Sequence, residues 1–167
     1  MRKAELKDLK NVMEIIEDGK LSLKEDGIDQ WQNGLPKIDD IRKNIESNQG
    51  YVYIVDGEIV SFAYLKEDYE KDYEPIEKGF KKHDDFFTIH RLSIKKCSKG
   101  KGISKKFLGE IIAFAKDRGL SSVRIDTHRD NFKMKSLIKK FDFKKIGPCF
   151  VDDGKGRSER IAYELVL

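Results

Sequence analysis

The chain has 167 residues, 38% of them charged and 38% hydrophobic, which suits one domain over residues 1–167 with a sizeable core and a soluble surface. No apolar run approaches the roughly 20 residues that cross a bilayer, and no signal-like stretch opens the chain, so a cytoplasmic location with no membrane partner is expected. The net charge is only +4, and the positive charge is concentrated in residues 95–106; a nucleic-acid surface spreads its charge and interleaves stacking aromatics, so nucleic acid ranks low as a partner.

Residues 2–5 can begin an edge strand. Leu9, Val12, Met13 and Ile16 then recur at i, i+3, i+4 and i+7, which predicts an amphipathic helix over about 6–23, with Gly19 a point where it can break. Residues 27–36 are turn-rich and hold the only tryptophan, Trp31. A second helix is expected from Pro36 or Lys37, with Ile38, Ile41 and Ile45 on one face and Asn48 or Gly50 as its stop. Two β-rich runs, 51–55 and 58–65, flank Asp56-Gly57, a strong hairpin signal. Segment 66–85 carries six acids in eleven positions (Glu67, Asp68, Glu70, Asp72, Glu74 and Glu77) and reads as a loop with room for one helical turn. Further on come a strand at 121–127, a short helix after Asp130 or Asn131, and two strands, 143–151 and 159–166, around a turn at 152–157.

Between these halves lies the stretch that organises the rest. Phe87 and Ile89 alternate with Thr88 and His90 in a strand, and apolar residues recur helically from Ile103 to Ala115, ending at Gly119. Strand and helix meet through Lys99-Gly-Lys-Gly-Ile-Ser104. A helix start leaves its first N–H groups unpaired at a positive dipole end, and Gly100 and Gly102 let backbone N–H groups converge on an anion. Lysines 95, 96, 99, 101, 105 and 106 add six positive charges with no acid among them. This chemistry fits a pyrophosphate; a solvated basic turn before an ordinary helix is the alternative. The Walker loop and the three-glycine dinucleotide fingerprint both fail here, because residues 95 and 105 are lysines.

The run His90-Arg-Leu-Ser-Ile94, followed by Lys99, Gly102 and Ser104, resembles the acetyl-CoA-binding motif R/Q-x-x-G-x-G/A of the GNAT superfamily of N-acetyltransferases. The central glycine matches, with Lys99 and Ser104 substituted on either side. Ile125-Asp-Thr-His-Arg-Asp-Asn131 is similar to a second segment of that family, and the element order matches over essentially the whole chain. The resemblance implies an α/β (α+β) fold: one mixed, twisted sheet of about seven strands flanked by about four helices, with strands four and five splayed to admit the pantetheine arm. It implies acetyl-CoA as co-substrate, no metal, and transfer of an acetyl group by direct attack of a primary amine of a small molecule or peptide. The cofactor contacts it implies are the backbone around Leu92, Ser93 and Ile94, the turn Lys99, Gly100, Lys101, Gly102, Ile103 and Ser104, and Asn131, which equally suits an N-cap.

Two family positions depart: the tyrosine that protonates the departing thiolate falls on Ile138, and the glycine of its Gly-Phe pair falls on Asp142. The amine needs a base, for which His90, His128, Tyr163 and Glu164 are the candidates. Gln30 and Trp31 lie in the connection that borders the acceptor cleft in this fold, where Trp31 equally suits a core cap. The acidic segment would draw a cationic acceptor such as a polyamine or lysine-bearing peptide, or is simply a solvated loop. The absence of a clear base and acid motivates an alternative, a non-catalytic acyl-CoA-binding or regulatory domain. Cys97 and Cys149 match no metal spacing and are expected to be free thiols. A monomer or a homodimer is compatible with the sequence.

Overall fold

A computed structural model describes residues 1–67 and 70–167; Asp68 of the acidic segment lies outside the described residues. In chain order the elements are β1 (Arg2–Lys3), α1 (Leu9–Glu25), α2 (Ile38–Glu46), β2 (Gly50–Val55), β3 (Glu58–Lys66), β4 (Phe86–Ile94), α3 (Ile103–Asp117), β5 (Ser122–Thr127), α4 (Phe132–Lys139), β6 (Lys144–Asp152) and β7 (Arg157–Val166). They form a seven-stranded sheet in the order β1-β2-β3-β4-β5-β7-β6. Among the described residues only the β4–β5 pair is parallel, as expected where a helical crossover joins two strands. Asp56 and Gly57, at φ 51° and 81°, make the β2–β3 turn, where both central residues need positive φ.

The sheet is covered on both faces. Phe107, Leu108, Ile111 and Ala115 of α3 pack on Leu65, Phe87, Ile89, Val123 and Ile125, with Leu137 and Ile138 of α4. On the opposite face, Val12, Ile15 and Ile16 of α1 and Ile41 and Ile45 of α2 pack on Val52 and Phe62. That second face continues across β6 and β7, where Tyr73 and Phe80 close on Cys149 and Ala162.

The parallel pair positions the site. β4 and β5 are hydrogen-bonded from Phe86/Ser122 to Ile89/Ile125 and then part. Beyond Ile89, β4 stays paired with β3, but the register shifts between Phe62/Ser93 and Tyr64/His90. Arg91 lies at this irregularity with φ 58°. A bulge of this kind bends its strand and increases its local twist, which here turns the end of β4 away from β5. Arg91 is held there by donation to the Asp40 carbonyl at 3.3 Å and to Asn44 Oδ1.

Two local expectations are corrected. Gly19 does not break α1, which runs unbroken to Glu25; a Cβ at Gly19 would meet Ser93 Oγ at 2.3 Å, so glycine lets the helix approach β4. Segment 66–85 holds more than one helical turn: Lys71–Gly79 is a nine-residue 3-10 helix with Tyr73 fully buried. Its acids are largely engaged, Glu67 with Arg118, Glu70 with Lys66, Asp72 with Arg157 and Glu77 with Arg124. Asp142, at the family's glycine position, sits at φ 61°, a backbone conformation that explains a glycine there.

Candidate active site

The parting of β4 and β5 opens a cavity of about 740 Å³, within the range of small-molecule sites. At one end is the turn between β4 and α3. Gly100 and Gly102 have φ of 78° and 73°, and Gly102 is the N-cap of α3. Being glycine, it supplies no side-chain cap, so the first N–H groups of α3 keep their donors free of side-chain acceptors. Lys95 and Lys96 have acidic neighbours, Glu58 at 3.7 Å and Glu25 at 3.5 Å. Among the described residues, Lys99, Lys101, Lys105 and Lys106 have no ion-pair partner, which leaves a net positive field over the turn.

The middle of the cavity is the gap between the two strands. Leu92, Ser93 and Ile94 line it from β4, Ile125, Asp126 and Thr127 from β5, and Met134 and Leu137 from α4. Thr127 is 1% exposed and, among the described residues, its Oγ1 has no hydrogen-bond partner. Asn131 lines the cavity and caps α4, its Oδ1 accepting from the Met134 N–H at 3.0 Å. A strand edge without a neighbour, an orphaned buried hydroxyl and an anion-binding turn on one cavity fit an elongated ligand with a diphosphate at one end and amides along its arm.

The far end is polar and acidic. His90 lines the cavity from β4, and its Nε2 lies 2.9 Å from Glu70 Oε2. Its Nδ1 is 3.8 Å from Asp126 Oδ2, and its ring stacks on Tyr64 with centroids 5.9 Å apart. Asp126 accepts from the Tyr73 hydroxyl at 2.8 Å. Glu70 is 8% exposed; burial pushes its carboxyl up, but hydrogen bonds from His90 and Lys66 and their charges outweigh that and bring it down to about 2. Burial pushes the Asp72 carboxyl up, and nearby Glu70 adds to this. An imidazole set between two carboxylates can take a proton and be stabilised as the cation.

The cavity brings together Gln30, Trp31, His90, Leu92, Ser93, Ile94, Lys99, Gly100, Gly102, Ile103, Ser104 and Asn131. Lys101, His128, Tyr163 and Glu164 are not on its wall. His128 Nε2 faces Asp29 Oδ1 at 3.2 Å, and its Nδ1 accepts from the Asp130 N–H at 3.1 Å. Tyr163 packs against the α3 core. Glu164 is 2% exposed and accepts from the N–H groups of Lys81 and Lys82 at 2.7 and 3.3 Å. It lies beside the buried Arg124, whose guanidinium is sandwiched between Phe80 and Phe86. Ile138, in place of the family's tyrosine, is 1% exposed and part of the core.

Residue-by-residue reading missed Glu70, Thr127 and Arg160. Glu70 was one acid in a run of six, and nothing local marks it as the one that folds under His90. Thr127 was part of the Ile125-Asp-Thr segment but carried no role. Arg160 offered one signal: a charge at an inward position of β7, two residues from the buried Ala162.

Comparison with known proteins bears on the same stretch. The Acetyltransferase (GNAT) family model matches residues 16–143. The chain belongs to the GNAT acetyltransferase family. No curated protein matches the chain. Among solved structures, a GNAT-family acetyltransferase from Streptococcus agalactiae 2603 is 28% identical, with a TM-score of 0.87 over 99% of this chain and 94% of that one. A GNAT-family acetyltransferase from Listeria monocytogenes 4b F2365 (17% identity, TM-score 0.74, 99% and 93% covered) shares the fold. So does a ribosomal-protein-alanine N-acetyltransferase from Brucella melitensis (16% identity, TM-score 0.70, 99% and 98% covered). This GNAT protein is an N-acetyltransferase, and the family's co-substrate is acetyl-CoA. Among the described residues no helix is long and apolar enough to cross a membrane, and no group of His, Cys, Asp and Glu could hold a metal ion.

Proposed function

We propose that residues 1–167 form one acyl-CoA N-acyltransferase domain that moves the acetyl group of acetyl-CoA to a primary amine of a small molecule or peptide by direct attack. The observation that carries this reading is a single cavity with an anion-binding turn at one end and His90, held by Glu70, at the other. Acetyl-CoA supplies an activated acetyl group as a thioester. Lys99 and the backbone N–H groups of residues 100–104 hold the diphosphate, where the first turn of α3 lacks other acceptors. Asn131 and Thr127 bind along the pantetheine arm. A backbone N–H within residues 92–94 donates to the thioester oxygen as charge develops on it.

His90, in its neutral form, takes the proton that the amine must lose, and Glu70 and Asp126 stabilise the resulting imidazolium. The new N–C bond forms as the C–S bond breaks, and coenzyme A leaves as thiolate. Ile138 offers no proton, but a thiol of pKa about 8.5 is a good enough leaving group to go without one. His128, Tyr163 and Glu164 are assigned no part in the chemistry, since none is on the cavity wall.

Thiol release from acetyl-CoA across a broad panel of primary amines tests the reading, together with His90→Asn. The expected result is turnover of at least one amine, slowed about 10²–10⁴-fold by His90→Asn with acetyl-CoA affinity retained. Tight acetyl-CoA binding with no turnover of any amine would instead support the non-catalytic binding domain. Turnover untouched by His90→Asn would remove His90 as the base.

A further inference from the structure

The acceptor end of the cavity holds a buried cation that, among the described residues, forms no ion pair. Arg160 of β7 lines the cavity and is 3% exposed. Its Nη1 donates to the carbonyl of Glu159 at 2.8 Å, which uses one of the five donors of a guanidinium. Among the described residues, no carboxylate oxygen lies within 4 Å of it. A buried guanidinium in this state is costly to the fold unless something else pairs with it.

Acids are present on the same wall, and each is engaged elsewhere. Asp26 pairs with Lys133 at 2.6 Å and Asp72 with Arg157 at 3.3 Å. Asp126 accepts from the Tyr73 hydroxyl at 2.8 Å, and Asp152 from the Gly154 N–H at 2.8 Å. Asp153 accepts from Asn33 Nδ2 at 2.7 Å, from the Lys155 N–H at 3.0 Å and from Ser158 Oγ, and the Arg160 charge reaches it only weakly, beyond ion-pair distance. The other guanidinium of this wall, Arg91, differs from Arg160, because the Asp40 carbonyl and Asn44 Oδ1 accept from it and it lies over the Tyr64 ring.

Strand register places Arg160 relative to the proposed chemistry. Ile89 faces Ile125, so His90 and Asp126 are neighbours on one face of the sheet, and Asp126 faces Ala162 on β7. Arg160 is the next inward position beyond Ala162, toward the end where β4 and β5 part. Two strand spacings, roughly 10 Å, separate β7 from β4 where the strands are paired, and the distance widens beyond Ile89 and Ile125 where β4 and β5 part. The length of an arginine side chain brings its head group within reach of a small acceptor whose amine is at His90.

We infer that the acceptor carries a carboxylate as well as its amine, as a free amino acid does, and that Arg160 binds this carboxylate through a two-point contact. A zwitterion satisfies both ends of the pocket: the amine gives its proton to His90, and the carboxylate neutralises the Arg160 guanidinium. A polyamine fills only the first role. This inference rests on the reading of His90 as the base and adds the class of acceptor.

The test compares matched sets of amines: an amino acid, its carboxamide and its decarboxylated amine. Each is assayed for acetyl-CoA-dependent turnover, and each for stabilisation of the CoA-saturated protein against heat, which needs no chemistry. The expected result is at least a tenfold preference in kcat/KM for the acid over its amide, and a thermal shift from the acid alone. In Arg160→Gln this ratio falls toward one through a rise in acceptor KM, while Arg160→Lys, which keeps the charge, retains part of it. Amides or plain amines that match or exceed the acids would overturn the inference, as would a preference unchanged in both variants. Acids that stabilise the protein but are not acetylated would uphold the carboxylate site and defeat the transferase reading instead.

Discussion

Gly102 and Gly119 stand at opposite ends of α3 in nearly the same backbone state, φ 73° and 71°, and a Cβ at either meets nothing within 4 Å. Replacing either with alanine therefore forces an L-residue into the left-handed region without any steric clash. That region costs about 1–2 kcal/mol, partly offset because alanine also restricts the unfolded chain. Each variant is expected to lose about 1 kcal/mol, which in a chain of this size lowers the melting temperature by about 2–4 °C. Their effects on ligand binding should differ. A methyl group at residue 102 intrudes where the diphosphate meets the amides of the turn, and each charge-assisted hydrogen bond lost there is worth about 1.5–3 kcal/mol. Urea denaturation with no ligand and calorimetric titration with acetyl-CoA separate the two. Matched stability losses with a tenfold or greater loss of affinity in Gly102→Ala alone are predicted. Equal affinity in the two variants would refute the placement of the diphosphate on this turn.

Three further outcomes follow from the structure. The Glu70 carboxyl is lowered from an ordinary 4.5 to about 2, so its contribution to stability is full above pH 4.5 and is lost as pH falls toward 2; Glu70→Gln should flatten that acid limb of urea stability, by at most about 3 kcal/mol. Gly19→Ala should destabilise the fold by about 1–3 kcal/mol through contact with Ser93 Oγ, and the smaller Ser93→Ala should relieve part of it in a double-mutant cycle; additive losses would refute the contact. Asp142→Gly, which relieves a non-glycine φ of 61°, should raise stability by about 0.5–1 kcal/mol, the left-handed penalty less the greater freedom of glycine in the unfolded chain, seen as a small gain in urea midpoint.

The parts of the fold legible in the sequence are those set by local rules. Asp56-Gly57 demanded a hairpin, the i, i+3, i+4 apolar spacing set α1, α2 and α3, and Gly100, Gly102 and the lysines around them marked an anion-binding turn. What escaped depends on groups distant in sequence. Gly19 looks like a helix breaker until Ser93 is seen against it, 74 positions later in the chain. Lys71–Gly79, with Pro75 inside it and acids along it, carries no strong helical signal, and it forms because Tyr73 buries its ring against Phe80 and reaches Asp126. One partner of His90, Glu70, stands at the start of the same segment, so the imidazole could be named but this carboxylate could not. Glu164 shows the converse: an acid on the last strand suggests chemistry until its oxygens are found holding the backbone of Lys81 and Lys82.

A crystal structure of the protein with coenzyme A tests the central claim most directly. The diphosphate should sit on the amides of residues 100–104, with the sulfur in the gap between β4 and β5 on the His90 side. A diphosphate bound away from that turn, or an arm that bypasses the gap, would contradict the account.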